Sequence, residues 1–139
     1  MKNKICAVVT LAVIPLLLTG CGSKKLVCTQ KNDNIEMKYS FAFKKDKLDS
    51  IDYYYVIDFG AMGITEDQIK QNDLCETFVK SDENIKDAVK SCKLDIKDNK
   101  VTITSTLDAK KVKAESGITS DSKMEDVKSF YTGIGYECK

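Results

Sequence analysis

From Ile35 onward apolar and polar residues alternate with a period of two. In "IEMKYSFAFK", Ile35, Met37, Tyr39, Phe41 and Phe43 are interleaved with Glu36, Lys38, Ser40 and Lys44. In "IDYYYVIDF" the same alternation runs through Ile51, Tyr53, Tyr55, Ile57 and Phe59. Side chains of a strand point to opposite faces in turn, so each segment predicts a strand with one buried face. A three-residue loop at Lys45-Asp46-Lys47 sets Phe41 opposite Ile51 and Tyr39 opposite Tyr53, which puts both apolar sets on one side of a hairpin. A shorter strand, Leu26 to Gln30, precedes it, separated by the polar turn "KNDN".

After Gly60 and Gly63 the period lengthens. Thr65 and Gln68 stand in a capping-box relation, and Ile69, Leu74, Cys75, Phe78 and Val79 follow at helical spacing. A break at Ser81-Asp82 leads to a second helical piece, Glu83 to Ser91, presenting Ile85, Ala88 and Val89. The segment "KLDIKDNKVTITSTL" then predicts a second hairpin turning at Asp98-Asn99. "DAKKVKAES" holds a single helical turn. Ser122 and Glu125 form a further capping box before Met124, Val127, Phe130 and Tyr131, and Gly133 ends that helix. The last residues, "GYECK", read as a short extended segment. Together these elements predict an α+β fold, an antiparallel sheet of about five strands with helices packed on one face.

The N-terminus has a different pattern. Lys2 and Lys4 precede an apolar run from Ile5 to Leu18 interrupted only by Thr10 and Pro15, the layout of a secretory signal peptide. The run is too short for the roughly 20 apolar residues of a spanning helix, and Gly20-Cys21-Gly22-Ser23 closes it. Leu18-Thr19-Gly20-Cys21 resembles the lipobox of bacterial lipoproteins. The resemblance implies cleavage before Cys21 and diacylglyceryl modification of its thiol. Two acyl chains hold a protein stably on a membrane, whereas one does not. The expected organisation is a lipoprotein signal peptide over residues 1–20, a lipidated tether over 21–25 and a single extracytoplasmic α+β domain over 26–139. The expected location is the outer face of the cell membrane, with membrane lipid as the partner of acylated Cys21.

Export changes how the cysteines are read. Cys6 falls in the signal peptide and Cys21 in the lipobox, leaving Cys28, Cys75, Cys92 and Cys138. An even number in an exported domain implies two disulfides, for which four thiols allow three connectivities. Cys28 and Cys138 lie in predicted terminal strands, where a tie prevents fraying, and are paired here. Pairing Cys75 with Cys92 requires the chain to reverse near Ser81-Asp82. One unbroken helix would hold the two about 25 Å apart and leave Cys75 an ordinary buried apolar residue. The four are too widely spaced for a zinc site, and no metal or cofactor is expected.

Charge and residue types narrow the function further. Lys2 and Lys4 are the only basic residues before Cys21, so the mature chain sets the remaining lysines against 21 acidic residues and is nearly neutral. Nothing in that balance favours nucleic acid. The chain has no histidine, and no Ser, Thr or Cys shows a nucleophile's setting, so no catalytic residue is expected and the protein is read as not an enzyme. "DFG" at Asp58 to Gly60 lacks every other kinase element and is a strand end. Asp46, Asp49 and Asp52 do not match the spacing of a calcium loop and are turn carboxylates. Tyr53-Tyr54-Tyr55 is either a stacking platform for sugar or peptide, or two core residues around a surface one.

With the lipobox, the lysine-rich alternation and the terminal "GYECK", the chain resembles the small YehR-like lipoproteins and related uncharacterised lipoproteins of low-GC Gram-positive bacteria. Those similarly open their mature part with "CG-x-KK" and end with a helix followed by G-[FY]-x-C-K or an equivalent strand. The resemblance implies no activity, and Cys75 and Cys92 depart from it. The expected role is a non-catalytic binding or accessory module for an envelope protein or an unidentified ligand; the alternatives are a structural and protective envelope protein without a small ligand, and behind it an enzyme with no recognisable motif. A concave aromatic patch near Tyr54 would favour binding, and a smooth charged surface the structural role.

Overall fold

The computed structural model describes residues 23–77, 81–113 and 117–139. The signal-peptide and lipidation expectations, Cys21 included, lie outside the described residues, as do Phe78 and Val79. Six strands form one antiparallel sheet in the order β4-β5-β3-β2-β1-β6. They are β1 (Ser23–Lys31), β2 (Ile35–Lys44), β3 (Lys47–Asp58), β4 (Val89–Lys97), β5 (Lys100–Asp108) and β6 (Glu137–Cys138). Two helices, α1 (Glu66–Lys70) and α2 (Met124–Gly133), pack on the sheet. The predicted α+β class holds. The strand beyond the expected five is β6, which the "GYECK" segment forms by pairing Cys28 with Cys138 and Thr29 with Glu137 on the edge of β1.

The register places every alternating apolar set on one face. Phe41, Ile51 and Leu107 stand in one row across β2, β3 and β5, and Tyr39, Tyr53, Ser105 and Cys92 in the next. Phe41, Ile51, Ile103 and Leu107 are completely buried there. The other face carries Lys38, Tyr54 and Thr104 in a single row, all exposed.

The β2–β3 connection reaches this register by a different route from the predicted three-residue loop. Lys44 pairs with Lys47 across a two-residue turn in which Lys45 (φ 50°) and Asp46 (φ 61°) are both left-handed. Such a turn alone would set Phe41 against Ser50 and put the apolar sets out of phase. A β-bulge shifts the register between Ala42 and Phe43, so Phe43 faces Leu48 while Phe41 faces Ile51. The predicted turn at Asp98-Asn99 forms with the same geometry, φ 53° and 59°.

Three expected boundaries are corrected. β1 begins at Ser23 and not Leu26, because Ser23 and Lys24 continue the ladder opposite Lys44 and Phe43. The expected tether therefore loses Ser23, Lys24 and Lys25 to the sheet. The helix predicted from Thr65 stops at Lys70. Its capping box forms as expected, with Gln68 Oε1 accepting from the Thr65 N–H at 2.9 Å. Asn72 then turns back, donating through Nδ2 to the Gln68 carbonyl at 2.7 Å, and Asp73 starts a separate turn by accepting from the Glu76 N–H at 3.0 Å. The helix predicted over Glu83–Ser91 is only one 3₁₀ turn, Lys86–Ala88, after which Val89 enters β4. Ladder bonding to β5 outcompetes a helix whose apolar spacing suited either form.

The chain does reverse between the two cysteines. Asp82 accepts from the Asn84 N–H at 2.8 Å, and Cys75 and Cys92 are joined in a disulfide with Cα atoms 5.9 Å apart. Cys28 and Cys138 form the second disulfide across the β1–β6 pair, flanked by reciprocal Val27–Lys139 backbone bonds of 2.9 and 2.8 Å. One tie clamps the segment leaving β3 onto β4; the other clamps the C-terminus onto β1.

The α2 start differs as well. Ser122 does not cap the helix; its hydroxyl accepts from the Thr119 N–H at 3.0 Å, tightening the preceding turn. The Lys123 N–H instead donates to the Asp126 carboxylate at 3.4 Å, and Glu125 plays no capping part.

A Cβ on Gly60 would lie 2.7 Å from Asn99 Cβ, with no other contact under 3.4 Å. Gly60→Ala should therefore destabilise by about 1–3 kcal/mol, and Asn99→Gly, which also relaxes a left-handed turn, should restore most of the loss in denaturant titrations. For the disulfides, loop closure predicts about 4–5 kcal/mol lost on replacing Cys28 and Cys138 by Ala, against about 3 kcal/mol for the shorter Cys75–Cys92 loop. Urea unfolding of the two double variants checks that order.

Candidate functional site

Five of the six tyrosines come together on the helix-bearing face. Tyr39 and Tyr53 face each other across β2 and β3 with ring centroids 4.8 Å apart. Tyr55, one alternation further along, brings its hydroxyl to 2.8 Å from that of Tyr39. Helix α2 adds Tyr131, set edge-on to Tyr39 at 5.2 Å and tilted against Phe41 at 5.0 Å. Tyr136 stacks on Tyr39 at 5.2 Å with planes 25° apart. Its hydroxyl lies 3.4 Å from Tyr39 Oη and 3.5 Å from Met37 Sδ.

Tyr136 reaches the cluster because of how α2 ends. Gly133 is the last helical residue, and the left-handed position is Gly135, with φ 98°. The Tyr136 N–H donates to the Tyr131 carbonyl at 3.0 Å and the Gly135 N–H to the Thr132 carbonyl at 3.2 Å, the two bonds of a Schellman motif. That motif sets the residue after the glycine against the third residue from the helix end. Here the pair is Tyr136 and Tyr131, with centroids 5.2 Å apart. The helix ends at Gly133 as expected, while the left-handed glycine of its terminating motif is Gly135. The signal in the sequence was Gly135-Tyr136 behind a helix with an aromatic residue third from its end.

Burial governs the chemistry of the cluster. Tyr131 and Tyr136 are buried, and Tyr39, Tyr53 and Tyr55 half-buried. Loss of water pushes the Tyr55 phenol up to about 12; the hydrogen bond with Tyr39 pulls it down in part, and Tyr53, Tyr136 and Tyr131 add to the rise. Tyr39, Tyr53, Tyr131 and Tyr136 are raised for the same leading reason, above the range of an exposed phenol. These hydroxyls stay protonated at neutral pH. They offer hydrogen-bond donors and aromatic faces, and none is set up as a nucleophile or base.

The other candidates are dispersed. Tyr54 stands on the opposite face, 37% exposed, with Lys38 and Thr104 as its lateral neighbours, so the aromatic patch lies behind the sheet from Tyr54 and not around it. Asp46 pairs with Lys24 at 3.4 Å, Asp49 with Lys44 at 3.1 Å, and Asp52 accepts from Thr106 Oγ1 at 2.8 Å. Asp58 accepts from the Ala61 N–H at 3.0 Å, closing the turn after β3. Among the described residues no three His, Cys, Asp or Glu side chains gather as a metal site, and all the described cysteines are paired. No helix among them is long and apolar enough to cross a membrane. A cleft of about 300 Å³ lies between β1, the β2–β3 turn and the start of α2, lined by Lys24, Phe43, Asp46, Lys123, Met124 and Glu125.

No protein-family model matches the sequence. A search of curated proteins finds no match either. Two solved structures are similar. The NMR structure of the E. coli YehR protein is 20% identical with a TM-score of 0.61, over 84% of this chain and 90% of that one. The NMR structure of a protein from Streptococcus pneumoniae TIGR4 is 11% identical with a TM-score of 0.50, over 100% of this chain and 98% of that one. At these identities the likeness is one of fold. It supports the resemblance to the YehR-like group at that level.

The cluster predicts an alkaline transition. Phenols whose folded pKa exceeds the ordinary value of 10.0 stabilise the fold fully below that pH. Above it the unfolded chain ionises first, so stability falls as pH rises through the Tyr55 value of about 12. Tyrosinate absorbance from the cluster and loss of the β-sheet circular dichroism signal should therefore rise together in one cooperative step.

Proposed function

We propose that this protein is an exported lipoprotein, held to the outer face of the cell membrane through acylated Cys21, whose folded domain is a non-catalytic binding or accessory module. The observation that carries the reading is the pairing of Cys28 with Cys138 and Cys75 with Cys92. Structural disulfides persist in oxidising compartments, and a chain with this N-terminus reaches one by export. Both ties secure elements that carry the covering layer, as an exposed domain outside the cell requires. In this reading residues 1–20 are removed, Cys21 becomes the N-terminus, and the sheet begins almost at once.

Binding is assigned to the helix-bearing face. Tyr39, Tyr53 and Tyr55 keep part of their surface in solvent there, beside hydroxyls that remain neutral. Neutral phenols and ring faces suit an uncharged polar partner, a sugar or an extended peptide, better than an ion. The structural and protective reading draws on the opposite face, where lysines, threonines and carboxylates alternate on a sheet with Tyr54 as its exposed aromatic ring.

The anchor is tested by feeding cells a fatty-acid probe and comparing wild type with Cys21→Ser. The expected result is label and membrane retention in wild type and neither in the variant. Equal labelling of both would overturn the anchor.

A further inference from the structure

Resting on the proposed anchor at Cys21, we infer that one end of the sheet lies against the phospholipid surface: the end bearing Ser23, the β2–β3 turn and the start of α2. The constraint is covalent. Only Gly22 separates Cys21 from Ser23, the first residue of β1, so the Cα of Ser23 is within about 7 Å of the acylated residue. Ser23 is itself fastened, since it pairs with Lys44 at the mouth of the turn. So short a link cannot carry this end of the sheet far from the lipid. Whatever lies at the Ser23 end of the sheet is held at the headgroups.

The antiparallel order settles what that is. β1 begins at this end, β2 finishes there and β3 starts there, with Lys45 and Asp46 at the tip. Loop residues before α2 are bonded to the same end, through the Leu48 N–H donating to the Ser120 carbonyl at 3.0 Å and Lys47 pairing with Asp121 at 2.9 Å. The side chains there suit a phospholipid surface. Lys24, Lys44 and Lys47 are each matched by a carboxylate. Among the described residues, Lys25, Lys45 and Lys123 have no such ion pair, and neither have Glu125 and Asp126 at the start of α2, so this end is close to charge balance while its lysines remain able to reach headgroup phosphates. The cleft of about 300 Å³ opens at the same end. Its lining combines Lys24 and Lys123 with Asp46, Glu125 and Asp126 around the apolar Phe43 and Met124.

The opposite end, with the turn at Asn32–Asn34 and the one at Asp98-Asn99, then points away from the membrane. The length of β3 separates the two ends by about 35 Å. The tyrosine cluster lies on a side wall between them.

The test uses the full-length protein, purified with its lipid from membranes and placed in phosphatidylcholine vesicles containing phosphatidylglycerol and a headgroup-nitroxide lipid. A fluorophore is attached at Lys45→Cys or at Asp33→Cys, both exposed positions. Several-fold stronger quenching at Lys45→Cys is expected; equal quenching, or stronger quenching at Asp33→Cys, would overturn the orientation. Hydrogen exchange on the unsubstituted protein gives a second reading. Amides of Lys44–Lys47 should slow on vesicles while those of Lys31–Asn34 do not, and uniform exchange rates at both ends would overturn the proposal. Failure of the wild-type protein to float with the vesicles would overturn the anchor instead, so the two outcomes are distinct.

Discussion

The register between β2 and β3 is the constraint on which the remaining structure depends. These two strands occupy the middle of the sheet, and each carries an apolar residue at every second position. A slip of one residue would turn one strand's apolar set to the solvent face. Phe41 and Ile51, both fully buried, contribute about 1.5–3 kcal/mol each by leaving water, so the slipped state is strongly disfavoured. The turn at Lys45-Asp46 favours that slipped register, and the bulge beyond it restores the phase. Burial therefore prevails over the local preference of the turn, and the bulge is where the conflict is absorbed.

Once the apolar face is set, the other layers have one place to go. The chain leaving β3 buries Phe59 and then Leu74, and the Cys75–Cys92 disulfide closes this excursion against β4. From the other side α2 buries Val127 and brings Tyr131 onto Tyr39 and Phe41, and its Schellman end turns Tyr136 inward. The Cys28–Cys138 tie then secures the two-residue strand β6, too short to hold itself by ladder bonds. Each disulfide thus sits where packing alone offers least: a segment with little regular structure, and a chain end.

The two faces of the sheet consequently have different chemistry. One holds a group of aromatic rings whose hydroxyls burial keeps neutral well into alkaline pH. The other is a charged and hydroxyl-bearing surface around Tyr54. The ion pairs at the Ser23 end are exposed, so they add little stability, yet they set which lysines remain available to a partner.

Strands are legible in a sequence because their signal is local: alternation in a few neighbouring residues reports which face is buried. That determined β2, β3, β5, the α+β class and the rows containing Tyr39, Tyr53 and Tyr55. The Asp98-Asn99 turn and the Thr65 capping box were legible for the same reason, each being a short-range match of side chain to backbone. The stretch from Glu83 to Ser91 was not, since Ile85, Ala88 and Val89 suit a helix and a strand alike, and the choice came from pairing with β5, remote in sequence. Tyr131 and Tyr136 were likewise visible as helix and chain end, but not as neighbours of Tyr39. Their meeting depends on where α2 stops and on how β6 docks, and both are settled by contacts between residues some hundred positions apart. By itself the sequence determined the faces; the tertiary structure decided the partners, because burial is encoded residue by residue whereas contact requires the chain to have closed on itself.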